Sequence, residues 1–394
     1  MKKKYILLLV LLSFLFPIDI SAQEIILSEK TEVSILTIGP GKQLYDSFGH
    51  SAFRIRDSEK GLDLIYNFGV YDFNTPNFYT KFAQGNLLYK LDTGSFGPFF
   101  DYYKRQNRYV KEQQLALSQE EKQAIFNFLQ NNAKPENRDY LYDFFYDNCA
   151  TKIRDVLTEV IGDNLVYNNS HITENYSYRE LIQKNVHYNT WGSFGMDVAI
   201  GAVVNRKAPP MDYQFLPEYI FKGAENATIS RSGTSEDLVK NTIVLYQNKV
   251  AKSNINFFTS PLFIFGLIGL LILYITFKDY KNKKRSRYLD AILFFMTGLI
   301  GVFLLLLWLA TDHSSTANNY NLLWAFPFNL LLCIAITKKN PKSWIRKYLI
   351  FLVLIIFLIC LHWITGVQGF AIGMIPLLIA LVVRYYYIIT TFKK

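Results

Sequence analysis

Hydrophobic and polar positions divide this 394-residue chain into two unlike parts. Up to about residue 256, apolar residues come in short runs broken by turn signals. Residues 33–38 read as a strand closed by Gly39-Pro40-Gly41, residues 51–56 alternate like a second strand, and 62–68 give a third. Residues 71–85 are aromatic-rich, interrupted by Pro76 and irregular, with room for a helical turn. Residues 87–91 and 109–117 supply two more strands. Helical signals follow. Ser118 with Glu121 forms a capping box opening an amphipathic helix to about 131, and Pro135 keeps it from continuing. Residues 140–146 read as extended, and Asn148 is a good N-cap for a helix from 149 to about 160 that Gly162 stops. A second capping box at Ser177 and Glu180 opens a helix to about 186. Residues 191–204 suit a packed helix and 215–220 a short one. Strands first and helices later predict an α+β domain.

Beyond residue 256 the apolar runs lengthen. Five of them, 257–277, 288–310, 322–337, 348–365 and 370–389, approach the roughly 20 residues that cross a bilayer. They predict an all-α transmembrane bundle of about five helices, in which 322–337 is the shortest run and contains Pro327. Basic residues fill the loop between the first two runs (Lys278 to Arg287) and that between the third and fourth (Lys338 to Lys347). The other two loops hold none. Positive-inside logic places the basic loops and the C-terminus in the cytoplasm and the polar domain outside the inner membrane. At the N-terminus Lys2, Lys3 and Lys4 precede an apolar run, Pro17 and a small-residue site at Ser21-Ala22, the pattern of a secretory signal peptide. The expected division is therefore signal peptide 1–22, periplasmic domain 23–256 and transmembrane domain 257–394.

Charge sharpens this picture. The net charge is +10, yet residues 23–256 carry 25 Lys/Arg against 28 Asp/Glu, so the excess lies in the signal and membrane parts. Topology explains it better than a phosphate-binding surface, which argues against nucleic acid as a partner. Three cysteines are present. Cys333 and Cys360 lie in apolar runs, which leaves Cys149 as a lone thiol in an exported domain and a candidate reactive group.

The position of Cys149 suits that role. A helix N-terminus lowers a thiol pKa through its free N–H groups and dipole, and the same N–H groups can hold an oxyanion. A base is needed as well. Of His50, His171 and His187, the first is favoured because Gly49 and a strand-like run hold it, whereas the other two lie in polar, loop-like surroundings. Histidine before cysteine reverses the papain order and is the order of circularly permuted papain-like enzymes, in which a polar residue on the next strand orients the imidazole. Asn67 is the chosen third residue, with Tyr66, Asp46 and Asp63 left open. Arg54 and Arg154 neighbour these positions and can hold a phosphate or carboxylate, or form structural ion pairs. No metal-ligand spacing and no glycine-rich phosphate loop occurs, so neither metal nor cofactor is expected.

The stretches 47–54, 66–73 and 146–155, which contain Gly49-His50-Ser51, Asn67-Phe68-Gly69 and Asp147-Asn148-Cys149, resemble the periplasmic domain of the Lnb-type lipoprotein N-acyltransferases. Phe215-Leu216-Pro217 and the segments around Asp312-His313 and Asn319–Leu322 extend the resemblance along most of the chain. It implies that Cys149 takes an acyl chain from a membrane phospholipid as a thioester, with His50 as base. It also implies that the chain passes to the N-terminal amine of a diacylglyceryl-cysteine lipoprotein. Arg54, His313 and Asn321 are the candidate substrate-binding residues. Two rival readings remain: a membrane-anchored cysteine peptidase or amidase acting on cell-wall or lipid amides, and a non-enzymatic membrane scaffold.

Overall fold

The computed structural model describes residues 25–231, 233–249, 256–339 and 341–392. The expected signal peptide, 1–22, lies outside them. The polar part is built on a seven-stranded antiparallel sheet of order β10-β5-β1-β2-β3-β4-β6. Its strands are β1 (Glu32–Ile38), β2 (His50–Asp57), β3 (Leu62–Val70), β4 (Leu88–Ser95), β5 (Val110–Leu115), β6 (Asp139–Leu141) and β10 (Val239–Tyr246). A small sheet of β7 (Leu165–Tyr167), β8 (Ala227–Arg231) and β9 (Thr234–Asp237) lies beside it. The helices of this part are α1 (Phe78–Gln84), α2 (Phe96–Arg105), α3 (Gln119–Asn132), α4 (Cys149–Ile161), α5 (Tyr178–Asn185), α6 (Trp191–Ala199) and α7 (Pro217–Glu225).

The main sheet is covered on both faces, which is why residues 33–38 are apolar almost without alternation. On one face Ile35, Phe53, Ile55 and Phe68 pack with Ile125 and Phe126 of α3, Ile153 and Leu157 of α4 and Ile220 of α7. On the other, Leu36, Ile38, Ala52 and Ile65 pack under Tyr103 of α2. Each large side chain so buried contributes about 1.5–3 kcal/mol. Strands first and helices later describes most of the chain, but β10 returns from beyond the helices to pair with β5. Half of its residues are exposed and none is buried, so their hydrophobicity carries little strand signal. The pairing covers a sheet edge that β5 would otherwise expose. Residues 140–146, expected to be extended throughout, form a strand only to Leu141 and then turn, with Asp143 and Asp147 bonded to each other through their backbones.

Four helices among the described residues are long and apolar enough to cross a membrane: Pro261–Lys281 (α8), Arg287–Leu309 (α9), Trp344–Ile364 (α11) and Ile372–Thr391, the last comprising a 3-10 turn and α12 (Ile375–Thr391). The helical bundle is as expected, and only its third expected span, 322–337, departs from a continuous helix. Residues 320–337 form two 3-10 turns around a short helix, α10 (Asn329–Leu332), rather than one continuous helix. Pro327 cannot donate to a helical ladder, and the freed backbone is packed against protein: a Cβ at Gly298 would lie 2.1 Å from Leu330 N and one at Gly301 2.0 Å from Ala325 O. Irregular backbone at membrane depth is tolerated when buried in this way. Asn329 also donates to Thr297 at 2.9 Å and accepts from the Tyr348 hydroxyl at 2.6 Å.

At one end of the bundle the fully buried Arg384 of α12 bonds Asp290 of α9 and Asp279 of α8, each at 2.7 Å. At the other end the loop 311–319 docks on the polar domain. Gly201 N and Ala202 N donate to Ser315 O and Asn318 O, and the Asn319 side chain donates to Val198 O at 2.8 Å and Ala199 O at 3.0 Å. The Trp191 indole donates to Thr259 O at 2.8 Å. These contacts tie α6 to the membrane helices.

Candidate active site

Four local features bring one site together. Asn148 caps α4: its Oδ1 accepts from Ala150 N at 2.7 Å and Thr151 N at 3.0 Å, and its Nδ2 donates to Phe144 O and Phe215 O. The first-turn N–H groups that follow Cys149 are thereby occupied, and the N–H of Cys149 is directed at its own thiol. His50 opens β2 opposite Ile38. Gly49 before it has φ +86°, and a Cβ there would lie 2.7 Å from Ile38 O, so only glycine allows this close approach. Asn67 is on the next strand. Phe53 pairs with Tyr66, so Asn67 shares the face of Ala52 and His50. A register shift between Asn67 and Val70 follows it, at Gly69 with φ +88°. Such bulges re-aim side chains next to sites.

His50 Nε2 lies 2.5 Å from Asn67 Oδ1. Because that oxygen can only accept, Nε2 carries the proton, and Nδ1 is the nitrogen left for Cys149, with which the imidazole also hydrogen-bonds. Burial opposes an imidazolium here. The facing thiolate charge, its hydrogen bond and that of Asn67 outweigh burial and raise the His50 pKa above its ordinary value, against a smaller opposing effect of Arg108. Burial likewise pushes the Cys149 thiol up. The imidazolium charge, the His50 hydrogen bond and the backbone N–H groups of Ser51 and Cys149 bring it below its ordinary value. Both directions favour a thiolate–imidazolium pair, and the half-buried Cys149 remains reachable.

Tyr142 and Gly69 complete the surroundings. A Cβ at Gly69 would lie 3.5 Å from Cys149 Cβ and 3.9 Å from both the Tyr142 ring and the Tyr140 hydroxyl. Burial, then the Cys149 charge, hold the Tyr142 pKa well above its ordinary value, so it stays a neutral phenol. Sequence reasoning did not single out Tyr142. Its signal was the aromatic run just before Cys149, which reads equally well as core. The imidazole also faces the Tyr103 ring, with centroids 6.1 Å apart.

The remaining sequence candidates lie elsewhere. Arg54, expected to bind substrate, forks onto Asp63 at 2.7 and 2.8 Å, reaches Glu112 at 3.1 Å and stacks on Phe96. Its charge is committed to a structural cluster. Asn321, expected to bind substrate, is fully buried: it donates to Asp197 O and accepts from the Trp324 indole, joining the two parts of the chain. His313 is half-buried on the docking loop, with Nε2 3.1 Å from Phe82 O, and lines a cavity of about 210 Å³ with Tyr89 and Tyr142. Of the alternatives to Asn67, Asp63 holds Arg54, Asp46 lies 3.7 Å from Arg108, and the Tyr66 hydroxyl accepts from Gln130. Arg154 pairs with Asp155. His171 contacts Asn168 O, and His187 offers its carbonyl to the Thr190 hydroxyl. Among the described residues no His/Cys/Asp/Glu cluster could hold a metal.

Comparison with known families decides what this arrangement belongs to. The Lnb N-terminal periplasmic domain matches residues 21–184, and the Lnb transmembrane domain matches residues 252–394. The chain belongs to the Lnb family. No curated protein and no solved structure matches it. Lnb domains indicate lipoprotein N-acyltransferases, so this chain is a membrane protein of lipoprotein maturation. The Lnb periplasmic match contains His50, Asn67, Gly69, Tyr142 and Cys149.

Proposed function

We propose that the protein transfers an acyl chain from a membrane phospholipid to the N-terminal amine of a diacylglyceryl-cysteine lipoprotein, with Cys149 as nucleophile. The observation that carries this reading is the Cys149–His50–Asn67 arrangement beside a loop that joins two membrane segments, in a chain of the Lnb family. The Cys149 thiol gives its proton to His50 Nδ1, and the thiolate attacks the ester carbonyl of the phospholipid. The Cys149 N–H at the start of α4 supports the oxyanion. When the C–O bond breaks, His50 returns the proton to the departing alkoxide, leaving a lysophospholipid and an acyl thioester on Sγ. The lipoprotein α-amine then attacks the thioester, His50 accepts a proton from it, and the C–S bond breaks to leave an amide and the thiolate. Asn67 holds the imidazole in the tautomer that both steps require. The loops rich in Lys and Arg and the C-terminus lie in the cytoplasm, and the site faces the outer leaflet, where both substrates reside.

The test is Cys149→Ala and Cys149→Ser in a strain lacking the wild-type gene, with N-terminal lipopeptides read by mass spectrometry. Both variants leave lipoproteins diacylated, and the wild-type protein incubated with phospholipid gains one acyl mass on the peptide containing Cys149. Triacylated lipoproteins made by Cys149→Ala would refute the covalent route. Normal lipoproteins with altered cell-wall peptides in the deletion strain would instead favour a hydrolase.

A further inference from the structure

The candidate active site is joined to the molecular surface by a ladder of aromatic rings that ends beside the loop following α9. Its outer end is α1 and the turn before it. Phe73, Tyr79 and Phe82 are 66%, 79% and 53% exposed there, a costly arrangement for three large rings in water. The segment 71–84 carries one acid, Asp72, and one base, Lys81. Its position is set by the docking loop. Asp312 N donates to Gln84 O at 2.8 Å, and His313 contacts Phe82 O at 3.1 Å. Asp312 comes three residues after Leu309, which ends α9. The exposed rings therefore lie within one loop turn of the outer end of a spanning helix, at the level where aromatic side chains favour the bilayer interface. Phe257 and Phe258, exposed just before α8, belong to the same belt.

From this surface the rings run inward. Phe82 meets Phe78 with centroids 6.4 Å apart, Phe78 meets Tyr71 at 5.9 Å, Tyr71 meets Tyr89 at 5.3 Å, and Tyr89 stacks on Tyr142 at 4.3 Å. Tyr142 borders Gly69 and Cys149. The cavity of about 210 Å³ follows the same direction, between Phe82, Leu87 and Tyr142 on the domain side and His313 on the loop side. We infer that α1 with its preceding turn is a foot inserted into the outer leaflet, and that the aromatic ladder is the wall along which a phospholipid acyl chain brings its ester to Cys149. The chemistry fits one occupant. An aromatic and aliphatic wall of Phe82, Leu87, Tyr89, Tyr142 and Phe144 facing a polar margin, where Asp143 accepts from Ser314 beside Asp312 and His313, suits a hydrocarbon chain whose polar end stays near the interface. The foot stands on geometry alone, whereas the delivery role rests on the acyl-transfer reading.

The experiment uses the full-length wild-type protein in phosphatidylethanolamine–phosphatidylglycerol vesicles containing a trace of phospholipid with a diazirine in one acyl chain. After irradiation, labelled peptides are mapped by mass spectrometry. Label is expected on residues 71–89 as well as on the spanning helices. In Tyr79→Ser/Phe82→Ser that label and the acylation of Cys149 by vesicle lipid both fall roughly tenfold, while alkylation of Cys149 by iodoacetamide stays within about twofold. Label confined to α8–α12 overturns the foot, whatever surface or protein partner covers those rings instead. Acylation of the double variant at the wild-type rate overturns the delivery role. Label at 71–89 without acyl mass on Cys149 upholds the foot and sinks the acyl-transfer reading; acyl mass without that label does the reverse.

Discussion

Asn67→Ala is the most informative substitution in the candidate site because it removes one hydrogen bond and leaves Cys149 and His50, the proposed reacting groups, in place. The lost contact is His50 Nε2 to Asn67 Oδ1 at 2.5 Å. Hydrogen bonds to a group that becomes charged contribute about 1.5–3 kcal/mol. At 1.36 kcal/mol per tenfold, removal slows formation of the Cys149 adduct by about 10- to 150-fold. The pH dependence separates positioning from mere packing. The reactive thiolate–imidazolium pair exists between two apparent pKa values that belong to the pair. Cys149 lies below the ordinary thiol value of 9.0, and His50 lies above the ordinary imidazole value of 6.5. Alkylation therefore rises as pH passes the lowered thiol pKa, because it needs only the thiolate, whereas acylation also falls as pH passes the raised imidazole pKa, because the imidazolium must return its proton to the departing alkoxide. The Asn67 bond helps raise His50, so its loss moves the basic limb to lower pH. A weaker imidazolium stabilises the thiolate less, and the acid limb moves up. Asn67→Asp, which adds a negative charge, moves the basic limb the other way. The acid limb is read by iodoacetamide alkylation and the basic limb by acylation from phospholipid, both on the full-length protein across pH and on the Cys149 peptide to exclude Cys333 and Cys360. Both reactions at the wild-type rate with both limbs unmoved refute the positioning role, and a uniform loss with unmoved limbs reduces Asn67 to a structural residue.

Two further substitutions probe the framework around the site. Gly69→Ala places a Cβ in ordinary contact with Cys149 Cβ at 3.5 Å, but at φ +88°; the strain of about 1–2 kcal/mol is expected to lower acylation of Cys149 while the melting temperature falls only slightly, as stopped acylation and a thermal scan would show. Arg384→Met leaves Asp279 buried without its cationic partner, whereas Asp290 keeps Arg285. A loss of about 3–5 kcal/mol is expected for breaking a buried pair, measured as detergent-phase thermal stability, and Arg384→Met/Asp279→Asn should recover part of it.

The local signals were legible because they are local. Ser118 with Glu121, Ser177 with Glu180 and Asn148 each satisfy the first N–H groups of the helix that follows, and each opens a helix in the structure. The apolar runs of α8, α9 and α11 likewise read directly as spans. The segment at 320–337 is also apolar, but it holds Asn321, Pro327 and Asn329 and does not form a continuous helix. Pro327 breaks its ladder, and Gly298 and Gly301, some 30 residues away, let the irregular backbone pack closely. Strands β9 and β10 left little mark, since all of β9 and half of β10 face solvent and no residue of either is buried.

By itself, the sequence determined that a lone thiol would stand at a helix start in a polar domain joined to membrane helices, and that a histidine would stand at the head of a strand. Capping and hydropathy act within a few residues, so they can be read along the chain. Tertiary structure alone decided that Cys149 meets His50 and that Asn67 rather than Asp46 or Asp63 meets the imidazole. It alone withdrew Arg54 and Asn321 into structural contacts. Those outcomes depend on strand register, on the bulge at Gly69 and on which charges find partners across the sheet. These are contacts between residues far apart in the chain, and no local pattern encodes them.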